Sequence, residues 1–392
     1  MTVGAVRERR RLVEVLRRED ALSDPAWISA FRRVPRHVFL PRFFVPDNSG
    51  WAAVAEGDDG WLQQVYADRV LVTQLDDDPS GWARARRGGP IPGTPTCSSS
   101  MPAIMAIMLE ELRVTDGDRV LEVGSGTGYN AALLCRRLGA SHVSTVDIDA
   151  HLVHTARRAL ARCGYAPSCE VYDGAQGFPP NAPYDRVLCT CAVSCIPPAW
   201  LEQTRPGGLV VTTLNRPIGA GLVRIVAQRG PLGTGRVLAR DGRFMPLRAH
   251  RLADPERLVA ALPDRRDAAA GKTTLPIGAV VSPSSRFEFF AGLQLPDVSP
   301  VHDPADRDAT FLVHADGSWA RHRAREGDYL VEQGGPRRLW DIVEAAYATW
   351  RSLGEPSRDR FGVTVTPDGQ EIWLDTPGSP HRWPLVASDW QR

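Results

Sequence analysis

Arg119-Val-Leu-Glu-Val-Gly-Ser-Gly-Thr-Gly-Tyr-Asn-Ala-Ala-Leu-Leu-Cys135 decides the fold. Val120 to Val123 is apolar except for Glu122 and reads as a buried parallel strand. Gly124, Gly126 and Gly128 follow at alternate positions. Such a turn needs residues without Cβ, and it lets a ligand approach the backbone closely. From Tyr129 the period turns helical, with Ala131, Ala132, Leu134 and Cys135 on the apolar side. Strand, glycine turn and helix open a nucleotide-binding α/β domain, with the ligand at the helix N-terminus. A second strand, His142 to Val146, ends in Asp147, an acid placed to bond a ribose diol.

The spacing is Glu-x-Gly-x-Gly-x-Gly, not the G-x-G-x-x-G of dinucleotide enzymes. Together with Asp147 it resembles the S-adenosylmethionine site of class I methyltransferases. Three segments before it sharpen the resemblance. Val34-Pro-Arg-His-Val-Phe-Leu-Pro41, Tyr66-Ala-Asp-Arg69 and Ser98-Ser-Ser-Met-Pro102 are similar to segments of the protein L-isoaspartate O-methyltransferase family, in the same order. After Asp147, Asp173-Gly174, the Asn181 to Thr190 strand, Arg205 to Val211 and Phe244-Met-Pro-Leu247 continue it. Tyr172 replaces a family glycine.

The resemblance implies a Rossmann-like α/β methyltransferase domain, with an N-terminal helical segment and a C-terminal α+β domain. It implies cofactor contacts by Glu122, Gly124, Ser125, Gly126, Gly128, Asp147, Ile148, Asp173 and Gly174. Ser98, Ser99 and Ser100 become the catalytic candidates, and Ser100, Met101, Phe244 and Met245 the substrate-binding ones. Helix capping is the plain alternative for the serines. Asp149 reads as a helix cap, not a ligand.

With 392 residues, more than one domain is expected. The boundaries read as 1–95 for a helical cap with loops, 96–247 for the methyltransferase domain and 248–392 for the C-terminal part. Asp47 to Gly60 and Asp76 to Pro95 are rich in Gly, Asp, Pro and Trp, and read as surface loops or lids. Beyond Arg248 no counterpart is expected in the ordinary repair enzyme. Val280 to Phe290, Phe311 to Ala315 and Gly362 to Thr366 read as strands, and Arg338 to Leu353 as a helix.

Net charge is +1, so no bulk field favours nucleic acid or an anionic membrane. No apolar run reaches the roughly 20 residues of a membrane span. The charged N-terminus lacks the apolar centre of a signal peptide. The seven cysteines lie between Cys97 and Cys195, an odd count that suits reduced thiols. Cys189 and Cys191 fall two apart in an apolar strand, where they read as packing and not as metal ligands. A cytoplasmic monomer is expected.

Methylating a carboxylate needs alignment more than acid–base help, since the carboxylate is already ionised near neutral pH. The extra C-terminal part and the insertions favour a special substrate: an Asp in a ribosomal peptide crosslinked by an ATP-grasp enzyme (a graspetide), whose ester closes to aspartimide. Isoaspartyl repair is the first alternative. A non-catalytic peptide-binding module is the second, separable by calorimetric titration with S-adenosylmethionine.

Overall fold

Helix α1 (Val3–Arg18) buries Ala5, Leu12, Val13 and Leu16, and α2 (Pro25–Arg33) buries Trp27, Ala30 and Phe31. Asp24 caps α2 by accepting from the Ala26 and Trp27 amides, with Pro25 in the first turn. The computed structural model describes residues 3–262, 268–303, 305–325 and 328–385. The chain divides into two compact units. The first holds Met1–Cys191, Pro197–Thr212 and Val226–Pro231; the second holds Ala192–Ile196, Thr213–Ile225 and Leu232–Arg392. Neither limit expected from the sequence, 95/96 or 247/248, falls on this division.

In the first unit, the stretches expected to be loops and lids are largely regular. β1 (Arg42–Asp47), β2 (Gly50–Ala55), β3 (Leu71–Leu75) and β4 (Pro95–Ser99) form an antiparallel sheet in the order β2-β1-β3-β4. Helices α3 (Trp61–Val65) and α4 (Gly81–Gly88) fill its connections. Phe44, Val72, Leu75 and Ala85 make its core, with Trp51, Trp82 and Ile91 packed against them. The Trp82 indole N–H donates to the Phe43 and Val54 carbonyls, and Trp51 donates to Gly93. The β3–β4 pairing runs across the expected 95/96 boundary, which is why the N-terminal part does not separate there.

The larger sheet of the first unit begins with β5 (Val120–Val123), buried at every residue. Its partners are β6 (Val143–Asp147), β7 (Ser168–Val171), β8 (Tyr184–Val193) and β9 (Thr204–Asn215), in the order β7-β6-β5-β8-β9. The β5–β6, β6–β7 and β5–β8 pairs are parallel. α5 (Pro102–Glu111) leads into β5, α6 (Tyr129–Leu138) joins β5 to β6, and α7 (Ala150–Arg162) joins β6 to β7. The strand order reverses between β5 and β8, and ligands of such sheets bind at the strand C-termini beside that reversal. This is the class I methyltransferase arrangement. α5 is buried on nearly every side.

The second unit carries most of β10 (Ala220–Ala227) and β11 (Gly233–Val237). Five further strands, β12 (Ala269–Thr273), β13 (Ser299–His302), β14 (Ala309–Val313), β15 (Trp319–Arg325) and β16 (Asp328–Gly334), make a sheet in the order β12-β16-β15-β14-β13. The chain ends in β17 (Phe361–Thr366), β18 (Gly369–Leu374) and β19 (Arg382–Pro384). β17 and β18 form a hairpin that turns at Pro367-Asp368, with Thr366 opposite Gly369, and β17 pairs with β11. That pairing joins residues on either side of 247, so no boundary falls there. Val280 to Phe290 is not a strand but parts of two helices, Ile277–Val281 and Glu288–Gln294. The Ser282-Pro-Ser-Ser285 break separates the two, and apolar residues in pieces this short do not distinguish strand from helix. Leu339–Ser352 is the expected helix. Among the described residues no helix is long and apolar enough to cross a membrane.

Candidate active site

The glycine triplet leaves β5 with positive φ at all three positions: 95° at Gly124, 49° at Gly126 and 86° at Gly128. A Cβ on Gly124 would stand 2.7 Å from the Cys191 sulfur, and one on Gly128 would stand 3.1 Å from the Ala156 Cβ. Gly124 therefore admits β8, and Gly128 admits α7. The Gly124 and Ser125 amides both donate to the Val146 carbonyl, so the loop is tied to β6. The Gly126 amide donates to Asp147 Oδ2 at 3.0 Å, and the Asp149 amide donates to Oδ1 at 3.1 Å. Asp147 is half-buried, and the neighbouring Ile148 is an exposed apolar side chain. A Cβ-free cradle, an acid at the end of β6 and an exposed apolar residue beside it suit a nucleoside-bearing ligand.

Glu122 faces inward and sits in an internal network. Its carboxylate is fully buried and accepts from Asn130 Nδ2 at 2.7 Å and from Thr145 Oγ1 at 2.6 Å. The Ser125 hydroxyl lies 2.6 Å from Thr145 Oγ1. Burial pushes the Glu122 carboxyl up to about 7 against the opposing pull of the Thr145 and Asn130 hydrogen bonds. Glu122 and Ser125 thus brace the glycine loop from behind.

The three serines separate by strand alternation. Ser99 is buried, and its hydroxyl accepts from Arg36 Nη2 at 3.2 Å. Ser98 and Ser100 are only half-buried, and among the described residues their hydroxyls bond nothing. Ser98 lies beside the glycine loop: its carbonyl oxygen would be 3.8 Å from a Cβ on Gly126, and the Cys97 sulfur 3.7 Å. None of the serines caps α5. Met101 stands at the cap position, and the Ala103 amide donates instead to Asp68 Oδ1 at 2.8 Å.

Arg36 and Asp68 carry roles the sequence did not disclose. Arg36 is fully buried and donates to the carbonyls of Val65, Ala67, Arg69 and Ser100. Burial lowers its pKa to about 10, so it stays charged near neutrality. A planar fork with many donors suits this gathering of carbonyls. Gln74 bridges in a similar way, donating to Asp149 Oδ2 at 3.0 Å and accepting from Thr96. Asp149 caps α7 through the His151 and Leu152 amides, as expected. The signal for both Arg36 and Asp68 was their place in the two quoted segments, Val34 to Pro41 and Tyr66 to Arg69, which gave neither residue a role.

Asp173 accepts from the Ala175 amide at 3.0 Å and keeps a half-buried carboxylate. Gly174 is buried, and its carbonyl accepts from the Trp200 indole. Tyr172 does not need a glycine's backbone freedom: its φ is not positive, its amide donates to the Asp147 carbonyl, and its ring meets Phe178 edge-on. Cys189 is buried and Cys191 half-buried, and the Cys189 thiol donates to the Cys191 carbonyl. Hydrogen bonding with Cys189, then burial, pushes the Cys191 thiol well up, so it stays un-ionised beside the loop. In the second unit, Phe244 and Met245 are half-buried, and Met245 accepts from the Ala192 amide at 2.9 Å.

The comparisons with known proteins agree with this geometry. The family model described as Protein-L-isoaspartate(D-aspartate) O-methyltransferase matches residues 89–247. A Thermococcus onnurineus protein named Protein-L-isoaspartate O-methyltransferase is 35% identical over 201 residues, 51% of this chain and 74% of its own length. One of the same name from Methanoculleus marisnigri is 33% identical over 230 residues, 58% of this chain and 86% of its own. A solved structure titled protein-L-isoaspartate O-methyltransferase aligns with a TM-score of 0.50 and 21% identity, covering 94% of this chain and all of that one. That alignment reaches beyond residue 248, so the C-terminal part has a fold counterpart in that structure. The chain belongs to the protein-L-isoaspartate O-methyltransferase family and is an S-adenosylmethionine-dependent carboxyl O-methyltransferase with a class I methyltransferase fold.

Proposed function

We propose that the chain methylates the free carboxylate of isoaspartyl residues in proteins or peptides. The observation that carries this reading is the shared name of relatives aligned over 74% and 86% of their length. The competing reading, an ordinary Asp in a crosslinked ribosomal peptide, drew its support from a C-terminal part thought to be foreign to repair enzymes. A solved structure that aligns over 94% of this chain has a similar fold there, so the extra part does not by itself favour that reading.

Bound S-adenosylmethionine supplies an already activated methyl group. Gly124, Gly126 and Asp147 would hold it, with Ile148 and Asp173 as further contacts. The acceptor carboxylate needs no base, because it is ionised near neutral pH. It needs donors that fix one oxygen in line, and Ser98, beside the loop, and Ser100 carry hydroxyls with no hydrogen-bond partner among the described residues. Ser99 acts one step back, by holding Arg36. Met101, Phe244 and Met245 are the remaining substrate candidates.

Mass spectrometry with three substrates tests the reading: an isoaspartyl peptide, its ordinary aspartyl counterpart and a crosslinked precursor peptide. The expected result is one added methyl on the isoaspartyl peptide, then ring closure as the next backbone nitrogen expels methanol. Methylation of the precursor alone would reverse the assignment.

A further inference from the structure

The five-stranded sheet of the second unit has two unlike faces. On one face the His322 and Trp340 rings meet at a tilt, 4.7 Å between centroids, Gln333 donates to Asp341 and Thr273 donates to Glu344, so Leu339–Ser352 covers it. On the other, Phe311, Val313 and Trp319 pack with Leu258, Val259 and Leu262, which covers the β14 side. The rest of that face, over β15, β16 and β12, forms an open groove of about 410 Å³.

The register sets what lines it. Arg321 pairs with Glu332 and Glu332 with Ala270; Arg323 pairs with Leu330 and Leu330 with Lys272. Arg325, two residues on from Arg323, completes one wall. Lys272, the chain's only lysine, stands on the other, and Ala270, Gly271 and Leu330 help make a low floor. β12 and β15 flank β16, so the walls are two strand spacings apart, about 9.6 Å. That width accepts a single extended chain.

Arg321 is already committed to Asp303 and Asp306, with side-chain exposure of only 15%. The other cations are open. Lys272 is 72% exposed and bonds Asp328; Arg323 is 43% exposed and bonds Asp306. Arg325 is exposed and has no ion-pair partner among the described residues. Exposed ion pairs are weak, so these cations can exchange partners with an arriving carboxylate at little cost.

We propose that this groove binds an extended, acidic segment of polypeptide. Side chains two apart on a strand recur about every 6.6 Å, so carboxylates at alternate positions of the ligand match the Arg323–Arg325 repeat. A polyphosphate chain fits less well. The net charge of +1 supplies no general field for it, and Glu332 in the lining and Asp306 behind it repel closely spaced phosphates. The inference does not depend on which carboxylate the chain methylates.

The test is fluorescence anisotropy with the full chain and a labelled peptide bearing glutamate at alternate positions, against its glutamine counterpart. The glutamate peptide should bind, more weakly as salt rises, and the glutamine peptide should not. The Lys272→Glu/Arg325→Glu variant should lose about tenfold in affinity, as for two exposed pairs replaced by like charges. Both positions are exposed; circular dichroism and an unchanged S-adenosylhomocysteine titration establish that the variant is folded. Equal binding of the two peptides overturns the proposal. So does unchanged affinity in the folded variant, or an RNA oligonucleotide that displaces the peptide at lower concentration than the peptide's own unlabelled form.

Discussion

At the scale of single residues, the serine run shows what a motif conveys and what it leaves out. Three adjacent hydroxyls look equivalent in the sequence, yet alternation along β4 sends Ser99 to Arg36 and leaves Ser98 and Ser100 open. Ser100→Ala should therefore lower turnover about ten- to a hundredfold with cofactor affinity unchanged, the effect of a misaligned acceptor. Ser99→Ala should instead cost about 1–2 kcal/mol of stability, since buried Arg36 loses an acceptor. Steady-state kinetics and urea unfolding separate the two; equal kinetic losses would refute the split. The glycine triplet and Asp147 were legible because their conformational demands are local. The inward turn of Glu122 was not, because its partners Asn130 and Thr145 lie on other elements. Its folded pKa, about 7, lies above the unfolded value of 4.5, so its protonated form favours folding. That contribution is whole below pH 4.5 and is lost as pH rises through 7, at most about 3 kcal/mol. Glu122→Gln should flatten this decline when unfolding midpoints are compared at pH 5 and pH 8. A parallel decline in the variant would assign the titration elsewhere.

At the scale of elements, helices with caps and strands with alternation were readable, and half-buried strands were not. Every residue of β2 is partly exposed, so Gly50–Ala55 shows no contrast of faces, and the aspartates and glycines on either side of it suggested loop. The tryptophans nearby were the missed cue: Trp51 and Trp82 lock strands together through their indole N–H groups. α5 shows the same limit from the other side. Its N-terminus was legible from Pro102, but its cap, Asp68, comes from a segment read only as part of a family resemblance. Asp68→Ala should cost about 1 kcal/mol in stability, the usual value of a lost N-cap, and fray the residues just after Ser100. Hydrogen exchange at Ala103 is the direct readout. Wild-type protection there would mean that α5 is held by burial alone.

At the scale of the whole molecule, the sequence placed the methyltransferase core but not its limits. A resemblance whose last segment is Phe244-Met-Pro-Leu247 suggested a domain that ends there. The pairing of β11 with β17 lies across that point, and no local pattern in Gly233–Val237 names its distant partner. A fragment ending at Leu247 should therefore fail as an independent domain. It strips β11 of Phe361–Thr366 and leaves an open strand edge, the usual route to association. Gel filtration should show aggregates, with a melting transition below that of the full chain; a monodisperse fragment of equal melting temperature would contradict this. The interleaving also sets a timetable for biosynthesis. The nascent chain passes from one unit to the other five times, and Thr213–Ile225 belongs to a unit completed only by Leu232–Arg392. At about 5–20 residues per second, the buried residues Leu222, Val223 and Ile225 wait roughly ten to thirty seconds outside the ribosome for those neighbours. During that interval they are exposed to every other newly made chain, so yield in the cell should depend on translation speed and chaperone supply more than on final stability.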